Sequence, residues 1–119
     1  MASLRPAAVA GMFYPAAPRE LAWEVDDLLA RSTGGALAPG FPKALIVPHA
    51  GYIYSGGVAA EAYDRLRPAR GIVRRVVMLG PCHRVPVRGL AVPGVDAFET
   101  PLMLGPCHRV PARGGRDRA

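Results

Sequence analysis

The stretch KALIVPHAGYIYSGGVAAEAYDRL, from Lys43 to Leu66, decides the fold. Its first segment, KALIV, is a short apolar run bounded by breakers and is typical of a buried strand. The loop PHAGYIYSGG follows, and Ser55 is suited to cap a helix that continues to Leu66. Val58, Ala62 and Leu66 fall on one face of that helix. A strand, a loop and a helix in this order predict the first half of a βαβ unit.

The second strand of the unit is predicted at RVVML, from Arg75 to Leu79. A crossover between two strands of one sheet is nearly always right-handed, and its strands are parallel. LAV, at 90–92, predicts a third, short strand. Upstream, PRELAWEVDDLLAR from Pro18 to Arg31 predicts an amphipathic helix, with proline in a first-turn position. The fold class predicted is therefore α/β. The apolar face of the upstream helix is Leu21, Val25, Leu28 and Leu29.

Length and composition predict one domain with a hydrophobic core, because the chain has 119 residues of which 50% are hydrophobic. Its apolar runs fall far short of the roughly 20 residues that a membrane span requires. The amino terminus, MASLRPAAVAGMFYP, lacks the uninterrupted apolar segment of a secretory signal. We therefore expect a cytoplasmic protein with no membrane partner.

The net charge of +6 suggests a nucleic-acid partner until its distribution is considered. Residues 1–102 hold 11 basic and 8 acidic residues, whereas residues 103–119 hold 4 and 1, so half of the excess lies in the tail. The arginines are scattered, and they do not alternate with aromatic residues as in single-strand binding surfaces. We expect no nucleic-acid partner. The only two cysteines, Cys82 and Cys107, favour a reducing compartment over a disulfide framework.

One histidine follows each of the two predicted parallel strands, His49 after Val47 and His83 after Leu79. Ligands of open α/β sheets bind at the carboxyl ends of the strands, and neighbouring strands lie about 4.8 Å apart. If the two strands pair directly or lie one strand apart, the two imidazoles are predicted to converge with their ring nitrogens within reach of one ion. Convergent imidazoles suit Fe, Cu or Zn. The competing interpretation is a pair of ordinary loop histidines.

Residues beside the two histidines are further candidates. Cys82 is either a thiolate ligand or a buried, inert thiol. Tyr52 and Tyr54 either line the predicted pocket or pack in the interior. Nearby glycines permit close backbone approach, and the helix amino terminus near Ser55 offers a place for an anion. These glycines are Gly51, Gly56 and Gly57.

Twelve residues of the chain occur twice with one change, as MLGPCHRVPVRG at 78–89 and MLGPCHRVPARG at 103–114. Two copies are too few for a repeat architecture. Either the second copy supplies Cys107 and His108 as improvised metal ligands, or it is a duplication or frameshift scar. The second interpretation predicts a domain at 1–102, followed by a non-native or disordered tail at 103–119 that lies outside the core.

Three segments together resemble the amino-terminal part of the Memo-like proteins, also called AmmeMemoRadiSam system protein B. They are RPAAVAGMFYPAAPREL, IVPHAGYIYSGGVAAEAY and RRVVMLGPCHRVPVRGLAVPGVDAFETPL, which cover 5–102 in this order. The combination of PHAGY with GP-x-H is specific. The resemblance implies a partial three-layer sheet similar to that of class III extradiol dioxygenases. It also implies a metal pocket, with Fe or Cu as cofactor, in which His49 and His83 match the two amino-terminal metal-binding histidines.

The chain departs from the family pattern in its length. In the family, the remaining cysteine ligand and a histidine and an aspartate of the pocket lie in a carboxyl-terminal half that has no counterpart in this chain. We therefore expect a truncated and inactive form of a metal-dependent oxidoreductase with redox or dioxygenase-like chemistry. The alternatives are a non-enzymatic binding module for an anionic ligand or phosphopeptide, and a fragment without function. Apolar sheet surface left exposed would favour self-association.

Overall fold

A computed structural model describes residues 3–33, 40–102 and 104–106, the last of these as backbone only. Two α-helices and three short strands form its regular structure in these ranges. In chain order, the elements are β1 (Leu4–Arg5), α1 (Pro18–Arg31), α2 (Tyr52–Asp64), a 3₁₀ helix (Arg67–Ala69), β2 (Ala97–Glu99) and β3 (Leu104–Pro106).

The three strands form one sheet in the order β1-β2-β3. β1 pairs with β2 in parallel, with Leu4 opposite Ala97. β2 pairs with β3 in the antiparallel direction, with Phe98 opposite Gly105. Both α-helices lie between the two parallel strands in the sequence. The predicted α/β class is confirmed at this level.

The parallel pair is held at one end by a reciprocal set of hydrogen bonds between Ser3 and Asp96. The backbone N–H and the hydroxyl of Ser3 donate to Oδ2 of Asp96 over 2.8 and 3.0 Å. In return, the backbone N–H of Asp96 donates to the carbonyl oxygen of Ser3 over 2.9 Å. The guanidinium of Arg5 lies 5.7 Å from the ring centroid of Phe98. Side chains thus fix the register of a ladder too short to be stable by its backbone bonds alone.

Helix α1 has the predicted limits, Pro18 to Arg31, with Pro18 in its first turn. Leu21 is its buried residue, and an i,i+4 ion pair joins Asp27 to Arg31 on the exposed side. Val25, Leu28 and Leu29 are partly buried and line a cavity beside α2. The predicted helix and its apolar face are therefore confirmed.

Helix α2 differs from its prediction in limits, cap and buried face. It begins at Tyr52 rather than Ser55, ends at Asp64 rather than Leu66, and has Gly51 as its N-cap. Ser55 therefore does not cap the helix. The buried positions are Ser55, Gly56 and Ala60, whereas Val58 is 65% exposed.

The small residues of α2 explain why that face is buried. A Cβ atom on Gly56 would lie 2.8 Å from Cδ1 of Leu28, so any larger residue at this position requires the Leu28 side chain to move. Glu61 also joins the helices, because its carboxylate accepts hydrogen bonds from the backbone N–H and the hydroxyl of Thr33, each over 3.1 Å. The Leu28 side chain thus packs against the glycine face of α2, and Val58, which was predicted to face inward, does not take part.

The predicted strands at 43–47, 75–79 and 90–92 are wrong, since these residues lie in irregular backbone. The side chain of Ile46 is fully exposed, and that of Met78 is 85% exposed. A buried parallel strand requires paired neighbours and helices on both faces of its sheet. The described part of the chain provides no such neighbours for these apolar segments, and it therefore does not form the predicted βαβ unit.

The second copy of the repeat contributes a strand that the sequence did not predict. Leu104–Pro106 pairs with β2, whereas the identical residues at 79–81 of the first copy are irregular. A partner strand four residues upstream is available only to the second copy, so context decides between the two structures. The rest of the tail lies outside the described residues. Neither described helix has the length and apolar character needed to cross a membrane.

Candidate metal centre

His49 and His83 lie side by side. Their Nε2 atoms are 3.1 Å apart, and their ring centroids are 5.4 Å apart with the ring planes inclined at 40°. Both side chains are exposed. The structure thus brings together the two residues that the sequence predicts to converge, although the strands predicted to carry them are absent.

Three backbone hydrogen bonds fix the segment that follows His49. The backbone N–H of Tyr52, the first residue of α2, donates to the carbonyl oxygen of Phe13 over 2.7 Å. The backbone N–H of Ala50 donates to Oγ of Ser55 over 2.9 Å, and that of Ser55 donates to the carbonyl oxygen of Gly51 over 3.0 Å. His49 therefore lies three residues before a fixed helix start, whereas His83 lies in the exposed irregular segment 73–96.

The turn that supplies Phe13 is a part of the site that the sequence analysis missed. Within it, the backbone N–H of Gly11 donates to the carbonyl oxygen of Tyr14 over 2.7 Å, and Gly11 has a φ of 79°. That left-handed conformation favours glycine. The available signal was the GMFYP sequence itself, where a glycine precedes two aromatic residues and a proline and so marks a turn.

No third ligand accompanies the pair among the residues that the structure describes. Within 3–33 and 40–102, no group of three or more histidine, cysteine, aspartate and glutamate side chains could hold an ion together. Cys82 is an exposed free thiol. Cys107 and His108, the improvised ligands of the sequence analysis, lie outside the described residues.

A cavity of about 420 Å³ between α1 and α2 reaches His49. Tyr52 lines it, whereas Tyr54 and Cys82 are not among its lining residues. Tyr54 instead directs its ring outward and is 82% exposed. We call this space the helix-pair cavity, and its wall is mainly apolar, with Val25, Leu28, Leu29, Val47, Ala59 and Ala60 among its residues.

Tyr52 is a polar residue of the cavity, and the pKa of its phenol is raised. Burial raises the pKa of its phenol above the usual value of 10.0, and the neighbouring Tyr14, Glu24 and Tyr63 raise it further. Its ring centroid lies 5.7 Å from that of Tyr14 in a tilted arrangement. The surroundings of this phenol therefore disfavour its negatively charged form.

The predicted anion position at the start of α2 is not an open helix end. The amino terminus lies at Tyr52, and the first N–H donor is already bonded to the carbonyl oxygen of Phe13. Ser55 is 6% exposed and lies within the first turn. An anion near Ser55 would therefore compete with hydrogen bonds that the helix start already makes.

Comparison with protein families places this chain in a class. A family described as Memo-like protein matches residues 5–107, most of the sequence. The chain belongs to the Memo-like protein family.

Individual relatives agree with the family match. The chain is 43% identical over 98 residues to an MEMO1 family protein of Aquifex aeolicus, covering 82% of this chain and 34% of the relative. It is 39% identical over 98 residues to Protein MEMO1 of Danio rerio and to that of Homo sapiens, in each case covering 82% of this chain and 31% of the relative. The chain thus spans about a third of the length of these relatives. No solved structure matches it significantly.

Proposed function

We propose that this chain forms the amino-terminal portion of a Memo-like metal pocket, in which His49 and His83 are two ligands of one ion. In the complete pocket, the ion would support redox or dioxygenase-like chemistry. The observation that carries this proposal is the distance of 3.1 Å between the two Nε2 atoms.

That distance fits a shared ion. Two nitrogens that each lie about 2.0 to 2.1 Å from one ion, at an angle of roughly 90° to 110°, are separated by about 2.8 to 3.4 Å. The same distance also fits a single hydrogen bond in which one imidazole donates and the other accepts. An ion would replace that shared proton. Both Nε2 atoms would then bind through their lone pairs, and each ring would carry its proton on Nδ1.

Imidazole ligands favour Fe, Cu, Ni or Zn over the oxygen-seeking Mg and Ca. Two neutral imidazoles leave most coordination positions of such an ion to water. Catalytic sites of zinc usually have three protein ligands and an open position, so the pair alone is expected to bind weakly. We propose iron or copper as the ion of the complete pocket.

The alternative of a binding module for an anion or phosphopeptide gains no support at this site. The helix-pair cavity has no lysine or arginine among its described lining residues. The start of α2 already donates to Phe13. In the absence of the ion, an anionic group there would lose its hydration without gaining a cationic side chain as partner.

Titration with Cu(II), Zn(II) and, under anaerobic conditions, Fe(II) tests the proposal on the whole 119-residue chain. We expect one weak site, with Cu(II) bound most tightly. His49→Ala and His83→Ala should each weaken binding by at least about tenfold, because removing even an outer-shell partner of a ligand commonly costs about 10- to 100-fold. The double variant should lose the site.

His108→Ala and Cys82→Ala are the matched controls. Under the two-histidine proposal, both retain the parent affinity. A loss of binding in His108→Ala would assign a ligand to the second repeat copy instead. Parent-like binding by the double variant of His49 and His83 would overturn the proposal.

A further inference from the structure

We infer that the helix-pair cavity is a binding site for an uncharged, largely apolar small molecule, which would lie directly beside the histidine pair. This inference deepens the proposed function, because it assigns a class of ligand to the same site.

The size and position of the cavity are those of a ligand site. Its volume of about 420 Å³ falls within the roughly 300 to 1,000 Å³ that is usual for small-molecule pockets. His49 lies in its wall, and Nε2 of His49 is 3.1 Å from Nε2 of His83. A molecule in the cavity would therefore be adjacent to an ion held by the pair.

The residues that line the helix-pair cavity disfavour a charged ligand. Within the described chain, the lining residues include no lysine, arginine, aspartate or glutamate. In the metal-free chain, a carboxylate or ammonium group would be desolvated there with no lysine, arginine, aspartate or glutamate in the lining to pair with it, which is unfavourable. A neutral molecule with an apolar body would instead replace water on aliphatic side chains, such as those of Leu28 and Val47.

Polar groups in the wall provide orientation without charge. Tyr14, Tyr52 and Tyr63 are among the lining residues. Like any phenol below its usual pKa of 10.0, Tyr52 is a neutral hydrogen-bond donor at pH 7, and burial raises its pKa further. A neutral acceptor or hydroxyl on the ligand could pair with such a group.

Two probes with the same apolar rings test the inference: 2-naphthol, which is neutral at pH 7, and 2-naphthoate, which is anionic. Binding of each to the 119-residue chain is measured by equilibrium dialysis in the presence of EDTA. The chelator makes the outcome independent of the metal, so failure here and failure of the two-histidine proposal are distinguishable. We expect 2-naphthol to bind at least about tenfold more tightly than 2-naphthoate, because the wall offers the carboxylate no lysine or arginine to offset its desolvation.

Substitutions in and beside the cavity test where 2-naphthol binds. Ala59→Phe fills the cavity from α2 and should abolish 2-naphthol binding. Val58→Phe adds the same ring at a neighbouring position that is 65% exposed and outside the lining, and it should leave binding unchanged. Val25→Arg places a cation in the wall and should reverse the preference toward 2-naphthoate. Circular dichroism of each variant confirms that helix content is retained.

Three results would overturn the inference. The first is equal or tighter binding of 2-naphthoate by the parent chain. The second is binding of 2-naphthol that survives Ala59→Phe, which would place the probe elsewhere. The third is a lack of binding of either probe by the folded parent chain, which would leave the cavity as packing space for another apolar segment.

Discussion

Nε2 of His49 and Nε2 of His83 lie 3.1 Å apart, although 34 positions separate the two residues in the sequence. The first histidine lies three residues before a helix start that three hydrogen bonds fix, and the second belongs to an irregular segment. The position of His49 can therefore be changed by a substitution at the helix start that leaves both imidazoles intact.

Ser55→Ala should loosen His49 while leaving both imidazoles intact. The substitution removes the acceptor of the Ala50 N–H bond, and we expect a stability loss of about 1 kcal/mol, typical for one hydrogen bond. Cu(II) affinity should fall severalfold, because the ligand would no longer be held in place. Urea denaturation and copper titration measure the two effects. Unchanged affinity in a destabilised Ser55→Ala variant would show that this bond does not position His49.

Tyr52 should make the protein less stable at high pH. Because burial raises the pKa of Tyr52 in the folded state, the unfolded chain loses this proton at lower pH than the folded chain. The stabilising contribution is therefore complete below pH 10 and is lost as the pH rises through the folded-state pKa. Tyr52→Phe should show a shallower loss of unfolding free energy above pH 10 than the parent, measured by urea denaturation at a series of pH values. Tyr54→Phe, at an 82% exposed position, is the control and should follow the parent curve.

The two adjacent glycines of α2 should respond oppositely to substitution. A Cβ atom on Gly57 would meet nothing within 4 Å, so Gly57→Ala should stabilise the protein by about 0.5 to 1 kcal/mol through helix propensity. A side chain on Gly56 would meet Leu28, so Gly56→Leu should destabilise it by about 1 to 3 kcal/mol through overpacking. Thermal denaturation compares the two variants. A stabilising Gly56→Leu would refute the close approach of α1 and α2.

The Ser3 and Asp96 bonds should couple energetically across the sheet. Ser3→Ala removes the hydroxyl donor, and Asp96→Ala removes the carboxylate that accepts from it. Because the contact is exposed, we expect each change to cost roughly 0.5 to 1.5 kcal/mol. A double-mutant cycle by urea denaturation should give a coupling energy of about 0.5 kcal/mol or more. Strict additivity would mean that the hydroxyl bond contributes nothing to the β1–β2 register.

Sequence patterns predicted the parts of the fold that depend only on residues close together in the sequence. The spacing of Leu21, Val25 and Leu28 gave α1 with its limits, since an apolar stripe and a first-turn proline are properties of the segment itself. The face of α2 could not be predicted in this way. Gly56 is buried because it meets Leu28 of another helix, and a periodicity analysis of α2 alone does not contain that information.

The sequence predicted the proximity of the two site histidines better than it predicted the strands of the sheet. The positions of His49 and His83 after apolar runs predicted their proximity, and the pair lies together even without the expected strands. The strands at 43–47 and 75–79 were wrong because apolar runs form strands only where partners complete the ladder. β3 was missed for the converse reason, since LGP has little strand character of its own and pairs with β2 because it lies close by in the chain.

The central claim is that both imidazoles bind one ion. Electron paramagnetic resonance of the 119-residue chain with one equivalent of Cu(II) tests it directly, because hyperfine coupling counts the nitrogens bound to copper. We predict coupling to two imidazole nitrogens in the parent and in His108→Ala, and to one in His49→Ala and in His83→Ala. Coupling to a single nitrogen in the parent, or a parent spectrum that persists in His49→Ala or His83→Ala, would contradict the account.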